Sequence, residues 1–265
     1  MPFVPLSPQS APWKKLCRRV LISGPPNSGK TRSMETCPGR VAYVAYPGEF
    51  GSSTVDVAAL EARGGKAWIW EAPPPGQTDW GKVRREITQI TTDILLCKLG
   101  EFDTFFGDGL HKLYGAYLAD ITAGASESGD DFESKKYGPC HKAFFAELRR
   151  INASPIKNVF FAVWDGREKD DPEAKGNEAV THIFPELPGA AAKMIMGEFS
   201  VVVWTFIKTL GAERKYLAQT RPGGKTWGCG IKAPQAVLDR VPLYIPQDWS
   251  ALIELLDPTP AAVKE

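Results

Sequence analysis

The sequence has 265 residues, of which 43% are hydrophobic and 24% charged, so one large globular domain is the simplest expectation. With 32 Lys and Arg against 31 Asp and Glu, the chain as a whole is not a polybasic binder of nucleic acid or membranes. Five scattered cysteines without a CxxC pair favour reduced thiols, and the three histidines give no zinc-site spacing. No apolar run is long enough to span a bilayer, so we expect a cytoplasmic protein without a membrane partner.

Apolar runs alternate with helical patterns along most of the chain, and this alternation predicts an α/β fold with a mostly parallel sheet flanked by helices. Early strands are predicted at residues 19–23, 41–46, 67–70, 102–107 and 158–164. Later strands at 200–206, 215–219 and 226–229 predict a C-terminal hairpin addition. Helices are predicted at 29–36, 79–99, 110–118, 137–151, 190–196 and 248–256. Two polar segments, 122–136 and 165–180, are predicted to be loops. We expect a flexible lead (1–14), one domain (15–256) and a tail (257–265).

Residues 24–31 read Gly-Pro-Pro-Asn-Ser-Gly-Lys-Thr and match the phosphate-loop pattern GxxxxGK[ST] between a strand and a predicted helix. In such a loop, backbone N–H groups curl around phosphate oxygens and glycines permit the curl. Lys30 would reach the β- and γ-phosphates, and the Thr31 hydroxyl would bind Mg²⁺. The plainer alternative is a glycine-rich turn before an exposed lysine. The candidate nucleotide-binding residues are Gly24, Pro25, Pro26, Asn27, Ser28, Gly29, Lys30, Thr31 and Arg32.

Acidic residues follow three of the predicted strands, where ligands bind in open α/β sheets. Asp108 directly follows the strand predicted at 102–107 and could hold the Mg²⁺ water shell, although it could also cap the next helix. Glu49 follows the second strand and could orient an attacking water, or it could be an ordinary surface acid. Asp165, with Arg167 beyond it, could sense the γ-phosphate or simply form a turn. Asp103 is predicted to be a solvated strand end.

This order of parts resembles the RecA-like ATPases, and more narrowly the phage-encoded AAA/RecA-type nucleotide-binding proteins of single-strand annealing and recombination. Besides the phosphate loop, Glu49 and residues 102–109, the resemblance rests on Tyr137-Gly138, on residues 159–164 and on Gly230-Ile231-Lys232. It implies a RecA-like P-loop core in a cytoplasmic protein, the host's cytoplasm if the chain is phage-encoded. It also implies ATP and Mg²⁺ as cofactors, bound between subunits of a ring or filament.

The resemblance also implies a role for each matching residue. Lys30 and Thr31 match the phosphate-loop pair, Asp108 the acid on the Mg²⁺ side, and Glu49 the acid that activates water. Lys232 matches a catalytic basic residue that reaches the neighbouring subunit's nucleotide. The usual Lys-x-Arg is absent there, because Ala233 and Pro234 follow, so Arg221 or Arg240 could serve instead.

Single-stranded DNA is a further partner that the resemblance implies. The two polar segments after the fourth and fifth core strands are net acidic, which opposes contact with a phosphate backbone. Residues 208–240 instead carry seven basic against two acidic side chains, with Tyr216 and Trp227 among them. In such a mixture the aromatic rings can stack on bases and the basic side chains can neutralise phosphates. A solvated hairpin with a core tryptophan explains the pattern as well.

The sequence alone leaves two other functions open. A P-loop small-molecule kinase would bind its acceptor in the first polar segment and close a lid over ATP, but the candidate lid at 165–178 is more acidic than basic. A nucleotide-regulated scaffold would hydrolyse slowly. A GTPase is disfavoured, because the sequence contains no Asn-Lys-x-Asp motif.

Overall fold

The computed structural model describes residues 18–49, 54–71, 74, 78–123, 130–169, 180–226 and 228–257. Its strands are β1 (Arg19–Gly24), β2 (Val41–Ala45), β3 (Lys66–Ile69), β4 (Thr104–Asp108), β5 (Asn158–Lys169), β6 (Val180–Pro185), β7 (Val201–Leu210), β8 (Glu213–Gln219), β9 (Gly230–Ile231) and β10 (Tyr244–Pro246). A short 3₁₀ helix covers Arg32–Thr36. The α-helices are α1 (Val57–Ala62), α2 (Trp80–Leu95), α3 (Leu110–Ala123), α4 (Asp130–Asn152), α5 (Ala191–Gly197), α6 (Gln235–Leu238) and α7 (Trp249–Leu256).

The described strands form one mixed sheet whose central part is parallel. Its order is β10-β8-β7-β1-β5-β4-β2-β3, with β6 beside β5 and β9 beside β7. All pairs from β7 to β3 along this path are parallel, whereas β8, β10, β6 and β9 pair antiparallel. The strand that leads into the phosphate loop, β1, lies at the centre. The predicted fold class, a RecA-like P-loop core with a C-terminal hairpin, is confirmed by this architecture.

Successive side chains of the central strands point to opposite faces of the sheet, and helices cover each face, so the sheet is buried on both sides. On one face, Phe105 packs with Phe144 and other residues of helices α2 to α5. On the other, Phe106 packs with Trp249 and with residues of α1, α6, α7 and the 3₁₀ helix. None of the described helices combines the length and the apolar character needed to cross a membrane.

The helix predicted at residues 29–36 is shorter than expected. Only Arg32–Thr36 is helical, and it is a 3₁₀ turn that ends at an extended Cys37. It ends at Thr36 as predicted, because Pro38 disfavours helical geometry at Cys37 and cannot donate a backbone hydrogen bond. The residues lost are at its start, where Gly29 has a φ of +90°, outside the helical region. The phosphate loop therefore precedes a single short turn, and the helix dipole expected from a full-length helix is not available here.

Other boundaries also differ from the sequence prediction. The strand predicted at 226–229 is wrong, since the structure places β9 at Gly230–Ile231, and Trp227 lies outside the described residues. Both polar segments are partly regular: α4 begins within the first, at Asp130, and in the second β5 continues to Lys169 while β6 returns beside it. Helix α2 stops at Leu95, four residues early, before Cys97 adopts a positive φ of 58°. Residues 1–17 and 258–265 lie outside the described part, so the lead and tail stay predictions.

Arg19, at the start of β1, joins the sheet to the end of α4. Its buried guanidinium donates hydrogen bonds of 2.7–3.1 Å to the carbonyl oxygens of Asn152, Ser154, Ile156 and Lys157. Burial lowers the pKa of Arg19 to about 10, with Arg18 adding to the effect, so the side chain still carries its charge near neutral pH. This one side chain therefore satisfies the carbonyl group of the last helical residue and three carbonyl groups beyond it.

We expect Arg19→Met to lower the free energy of unfolding by about 3 kcal/mol, because buried carbonyl groups lose a charged donor. Urea denaturation followed by circular dichroism measures the change. The matched control is Arg18→Met, which removes a partly exposed ion pair with Asp257 and should cost less than about 1 kcal/mol. Equal losses in the two variants would contradict the role assigned to Arg19.

Candidate functional site

A cleft of about 780 Å³ opens at the carboxyl ends of the central strands. Strands β1, β2 and β4 deliver the phosphate loop, Glu49 and Asp108 to this edge. The candidate residues that line the cleft are Pro26, Asn27, Gly29, Lys30, Thr31, Arg32, Glu49 and Asp108. The sequence-predicted residues around the phosphate loop therefore come together in one place, although their chemical roles stay predictions.

The phosphate loop is held by residues that come much later in the chain. Ser28 Oγ lies 2.8 Å from Thr205 Oγ1 on β7. Gln247 donates from Nε2 to the Ser28 carbonyl at 2.7 Å, and this amide is buried. Gly29 has φ +90°, and a Cβ there would lie 2.6 Å from the ring of Tyr216, so glycine is required for both conformation and space.

Lys30 is folded into the phosphate loop rather than exposed. Its ammonium donates hydrogen bonds of 2.7 Å to the carbonyl oxygens of Gly24 and Pro25, and only 7% of the residue is exposed. Burial lowers its pKa to about 8, against the opposing influence of Asp108 and other nearby acids. The plainer alternative of an exposed lysine after a turn is therefore wrong.

Thr31 and Asp108 meet across the cleft floor. Thr31 donates from Oγ1 to Asp108 Oδ2 at 2.7 Å, and the Tyr43 hydroxyl donates to the same oxygen at 2.8 Å. Burial raises the pKa of the Asp108 carboxyl, while these two hydrogen bonds act against the rise. A hydroxyl and a carboxylate side by side are oxygen ligands that suit Mg²⁺, which is otherwise held by phosphates and water. The donor set therefore fits Mg²⁺, and no cluster of three metal-binding side chains occurs within the described residues.

Glu49 is a buried acid, not the surface acid that the sequence left open as an alternative. It is 8% exposed, and it lines the cleft together with Lys30 and Asp108. Gly109, directly after Asp108, lies against it: a Cβ there would stand 2.7 Å from Glu49 Oε2. The carboxylate is therefore placed where it could orient a water molecule beside the terminal phosphate of a nucleotide in the cleft.

Several cleft residues were not singled out as such from the sequence. Trp164, the residue before Asp165, and Tyr216, from β8, line the cleft. His111 packs its ring on Trp164 with centroids 4.6 Å apart. Its place at the end of the strand predicted at 158–164 could have indicated Trp164. No local pattern indicates Tyr216, which reaches the phosphate loop from 187 residues away in the sequence.

The C-terminal part of the chain also braces the short helix after the phosphate loop. Trp249 donates from Nε1 to Ser33 Oγ at 2.8 Å, and Ser250 donates to the Thr36 carbonyl at 2.8 Å. The Thr36 hydroxyl in turn accepts from the Trp249 backbone N–H at 3.0 Å. These contacts stabilise a turn that is too short to be stable alone.

The remaining candidates lie away from the cleft or are engaged elsewhere. Asp165 accepts from Trp204 Nε1 at 3.4 Å and lies 3.7 Å from Arg167 Nε, while its neighbour Trp164 faces the cleft. Lys232 lies at the amino ends of β1 and β7, the opposite edge of the sheet, where its Nζ donates to the Gly197 carbonyl at 2.9 Å.

The two alternatives to Lys232 also contact their own chain. Arg221 donates to the carbonyl oxygens of Leu238 and Val241, and Arg240 donates from Nε to the Ala236 carbonyl at 3.2 Å. Arg221 thus has a structural role at the end of α6. The structure does not bring any of these three basic residues to this chain's own cleft, and a role toward a neighbouring subunit stays a prediction.

Comparison with solved structures gives distant neighbours. One is the flagellar accessory protein FlaH from Methanocaldococcus jannaschii, at 16% identity and a TM-score of 0.35, covering 77% of this chain and 78% of that one. Another is an ATPase from the type III secretion system of pathogenic bacteria, at 11% identity and a TM-score of 0.45, covering 71% of this chain and 52% of that one. Both TM-scores lie below 0.5, so neither likeness supports an argument about the site.

The family comparison is decisive, because it spans most of the sequence. No curated protein matches the chain. A family model described as an AAA domain matches residues 17–227, which include the phosphate loop, Glu49 and Asp108. The chain therefore belongs to the AAA domain family and is a P-loop NTPase.

Proposed function

We propose that the cleft binds Mg²⁺-ATP and that the chain hydrolyses it as a RecA-like ATPase. The observation that carries the proposal is the hydrogen bond between Thr31 and Asp108, with Lys30 and Glu49 lining the same cleft. This is the set of groups that phosphoryl transfer to water requires: a phosphate loop with its lysine, a metal-side acid and a group for the water. A cleft of about 780 Å³ also has the size of a typical small-molecule site.

In this mechanism each residue has a distinct task. The loop backbone and the Lys30 ammonium bind the phosphates, and Lys30 leaves its two loop carbonyls to do so. Thr31 Oγ1 and Asp108 would hold Mg²⁺, which supplies charge neutralisation at the phosphate oxygens when bound. Glu49 accepts a hydrogen bond from the attacking water and orients it toward the γ-phosphorus.

The adenine base of ATP is proposed to lie against Tyr216. The tyrosine ring stands beside Gly29 at the cleft wall, and the residue is 37% exposed, which leaves one face of the ring for stacking. Stacking on an aromatic ring contributes affinity without selecting strongly among bases. Tyr216 therefore favours nucleotide binding in general, and the preference for ATP over other nucleoside triphosphates rests on the family.

The lowered pKa of Lys30 predicts that ATP affinity falls as the pH rises above about 8. In the free protein the lysine begins to lose its proton near pH 8, whereas bound phosphates hold the proton on and raise the pKa. Binding at pH 8.5 should therefore take up a proton. Calorimetry with a non-hydrolysable ATP analogue in two buffers of different ionisation enthalpy measures this uptake, and zero uptake would contradict the prediction.

At a finer level, we propose self-association into a ring or filament with ATP at subunit interfaces. A basic residue of the neighbouring subunit, with Lys232, Arg221 and Arg240 as the candidates, would then neutralise charge that develops in the transition state. Arg221 is the weakest of the three, because two carbonyls of its own chain already hold its guanidinium. Sedimentation with and without the ATP analogue tests the assembly.

Single-stranded DNA is the proposed partner, on the evidence of one face of the β7–β8 hairpin. We call the hairpin surface the set Trp204, Phe206, Lys208, Lys215 and Tyr244, which the strand registers place on one face. Trp204 stacks on Phe206 at 5.3 Å, and the ring of Phe206 meets that of Tyr244 edge-on at 5.6 Å. Aromatic rings beside basic groups suit stacked bases and their phosphates. A setting in phage recombination or replication stays a prediction.

The test is the ATPase rate with and without single-stranded DNA, at low and physiological salt, with Lys30→Ala as the blank. Hydrolysis by the wild type above the blank supports the enzyme function. Stimulation by DNA that fades with salt, and that Tyr244→Ala reduces, supports the hairpin surface. Turnover that requires a small-molecule acceptor would instead favour the kinase, and very slow turnover indifferent to DNA and acceptors would favour the scaffold.

A further inference from the structure

The segment that follows β4 encloses Glu49, although Glu49 itself follows β2. Gly109 has φ +82°, and a Cβ at this position would stand 2.7 Å from Glu49 Oε2 and 3.1 Å from Glu49 Cβ. Two residues later, His111 Nε2 lies 3.9 Å from Glu49 Oε2. Residues 108–111 thus provide both the metal-side acid and the surroundings of the second acid.

His111 is placed tightly beside this carboxylate. Its side chain is 11% exposed, and its ring lies on Trp164 with an interplanar angle of 33°. Among the described residues, neither ring nitrogen finds a hydrogen-bond partner. Burial, together with Lys112 and Lys30, lowers the pKa of His111 to about 3, so the ring is neutral and carries one N–H.

A role for His111 that is limited to filling space does not explain these observations well. Burying two imidazole nitrogens without partners costs free energy, and phenylalanine would fill the same space beside Trp164 without that cost. Nε2 lies 3.9 Å from Oε2 of Glu49, the carboxylate proposed to orient water. A hydrogen bond between them requires this distance to shorten by about 1 Å.

We propose that His111 is the positioning residue for Glu49. Its Nε2–H donates to Glu49 Oε2 and fixes the carboxylate in the orientation that accepts a hydrogen bond from the attacking water. Trp164 holds the imidazole plane in turn. The inference rests on the proposed function, because it concerns the same hydrolysis. It predicts that the loss of the donor slows the chemical step and leaves nucleotide binding intact.

The experiment uses two substitutions that separate packing from hydrogen bonding. His111→Phe keeps a ring against Trp164 and removes both nitrogens, whereas His111→Gln loses the ring but can place an amide N–H near the position of Nε2. We expect His111→Phe to lower kcat by about tenfold to a hundredfold with KM for ATP and analogue affinity within about twofold. His111→Gln should recover most of the rate.

A double-mutant cycle tests whether His111 acts through Glu49. In a Glu49→Gln background, His111→Phe should have no further effect on the remaining rate, because the carboxylate that it positions is gone. Wild-type kcat in His111→Phe, or the same loss in both backgrounds, overturns the inference. If His111→Phe does not fold, His111→Gln decides alone: retained turnover supports the donor role, and loss of turnover in a folded protein overturns it.

The wild-type protein separates this inference from the proposed function. Wild-type turnover no higher than that of Lys30→Ala overturns the ATPase function and, with it, any role for His111. Wild-type turnover that His111→Phe leaves unchanged overturns the positioning role alone.

Discussion

Lys30→Ala is expected to lower ATP turnover by at least about a hundredfold, because a buried, preorganised cation that meets transferring phosphates is lost. In the structure its ammonium is held 2.7 Å from two loop carbonyls and is nearly inaccessible to solvent. Phosphate oxygens can replace those carbonyls as partners without any change in the loop's supports, Thr205 and Gln247. Binding of the ATP analogue should weaken as well, since the lysine contacts phosphates before and during the reaction.

The fold should tolerate this substitution. The lowered pKa of Lys30 means that the folded state opposes its charge, so removing the ammonium relieves a desolvation cost at neutral pH. We therefore expect a melting temperature within a few degrees of the wild type. The matched control is Lys98→Ala, which removes a surface lysine paired with Asp93 at 3.0 Å and should keep full turnover. A Lys30→Ala protein that hydrolyses ATP at the wild-type rate would contradict the assignment of the cleft.

The parts of the site that sequence reasoning found share one physical basis. The phosphate-loop pattern is local, and Asp108 and Glu49 follow strands whose carboxyl ends meet because the central sheet is parallel. An acid after a buried parallel strand is therefore brought to the loop by the sheet itself.

Sequence reasoning failed where contacts join distant segments. Gln247 and Trp249 hold the phosphate loop and its short helix from more than 210 residues away, and no local pattern announces this. The predicted end of the short helix at Thr36 is confirmed and agrees with Pro38, since a proline disfavours helical geometry at the residue before it, whereas its late start was missed. Lys232 was predicted as a site residue from the order of the motifs alone. The antiparallel pairing of β9 with the start of β7 puts it at the edge of the sheet opposite the cleft.

Glu49→Gln is expected to bind the ATP analogue with wild-type affinity and to lose about a hundredfold or more of the hydrolysis rate. Glutamine has the same shape and fits the space that Gly109 leaves, so the substitution changes charge and basicity rather than packing. Binding is preserved because the phosphates are held by the loop and Lys30. The rate falls because a neutral amide is a poor acceptor for the proton of the attacking water. Single-turnover hydrolysis and calorimetry measure the two quantities separately.

The matched control is Glu101→Gln, an exposed acid paired with Arg40 at 3.5 Å, which should leave both quantities unchanged. Wild-type turnover in Glu49→Gln would mean that another group activates the water. The next candidate would then be Asp165, which lies within the central strand β5 next to Trp164 and whose side chain is 2% exposed. Its contacts with Trp204 and Arg167 hold it next to the cleft rather than in it, so Asp165→Asn should then reduce hydrolysis only if that carboxylate turns inward. Because Glu49 already lines the cleft beside Lys30 and Asp108, we expect the loss to appear in Glu49→Gln and not in Asp165→Asn.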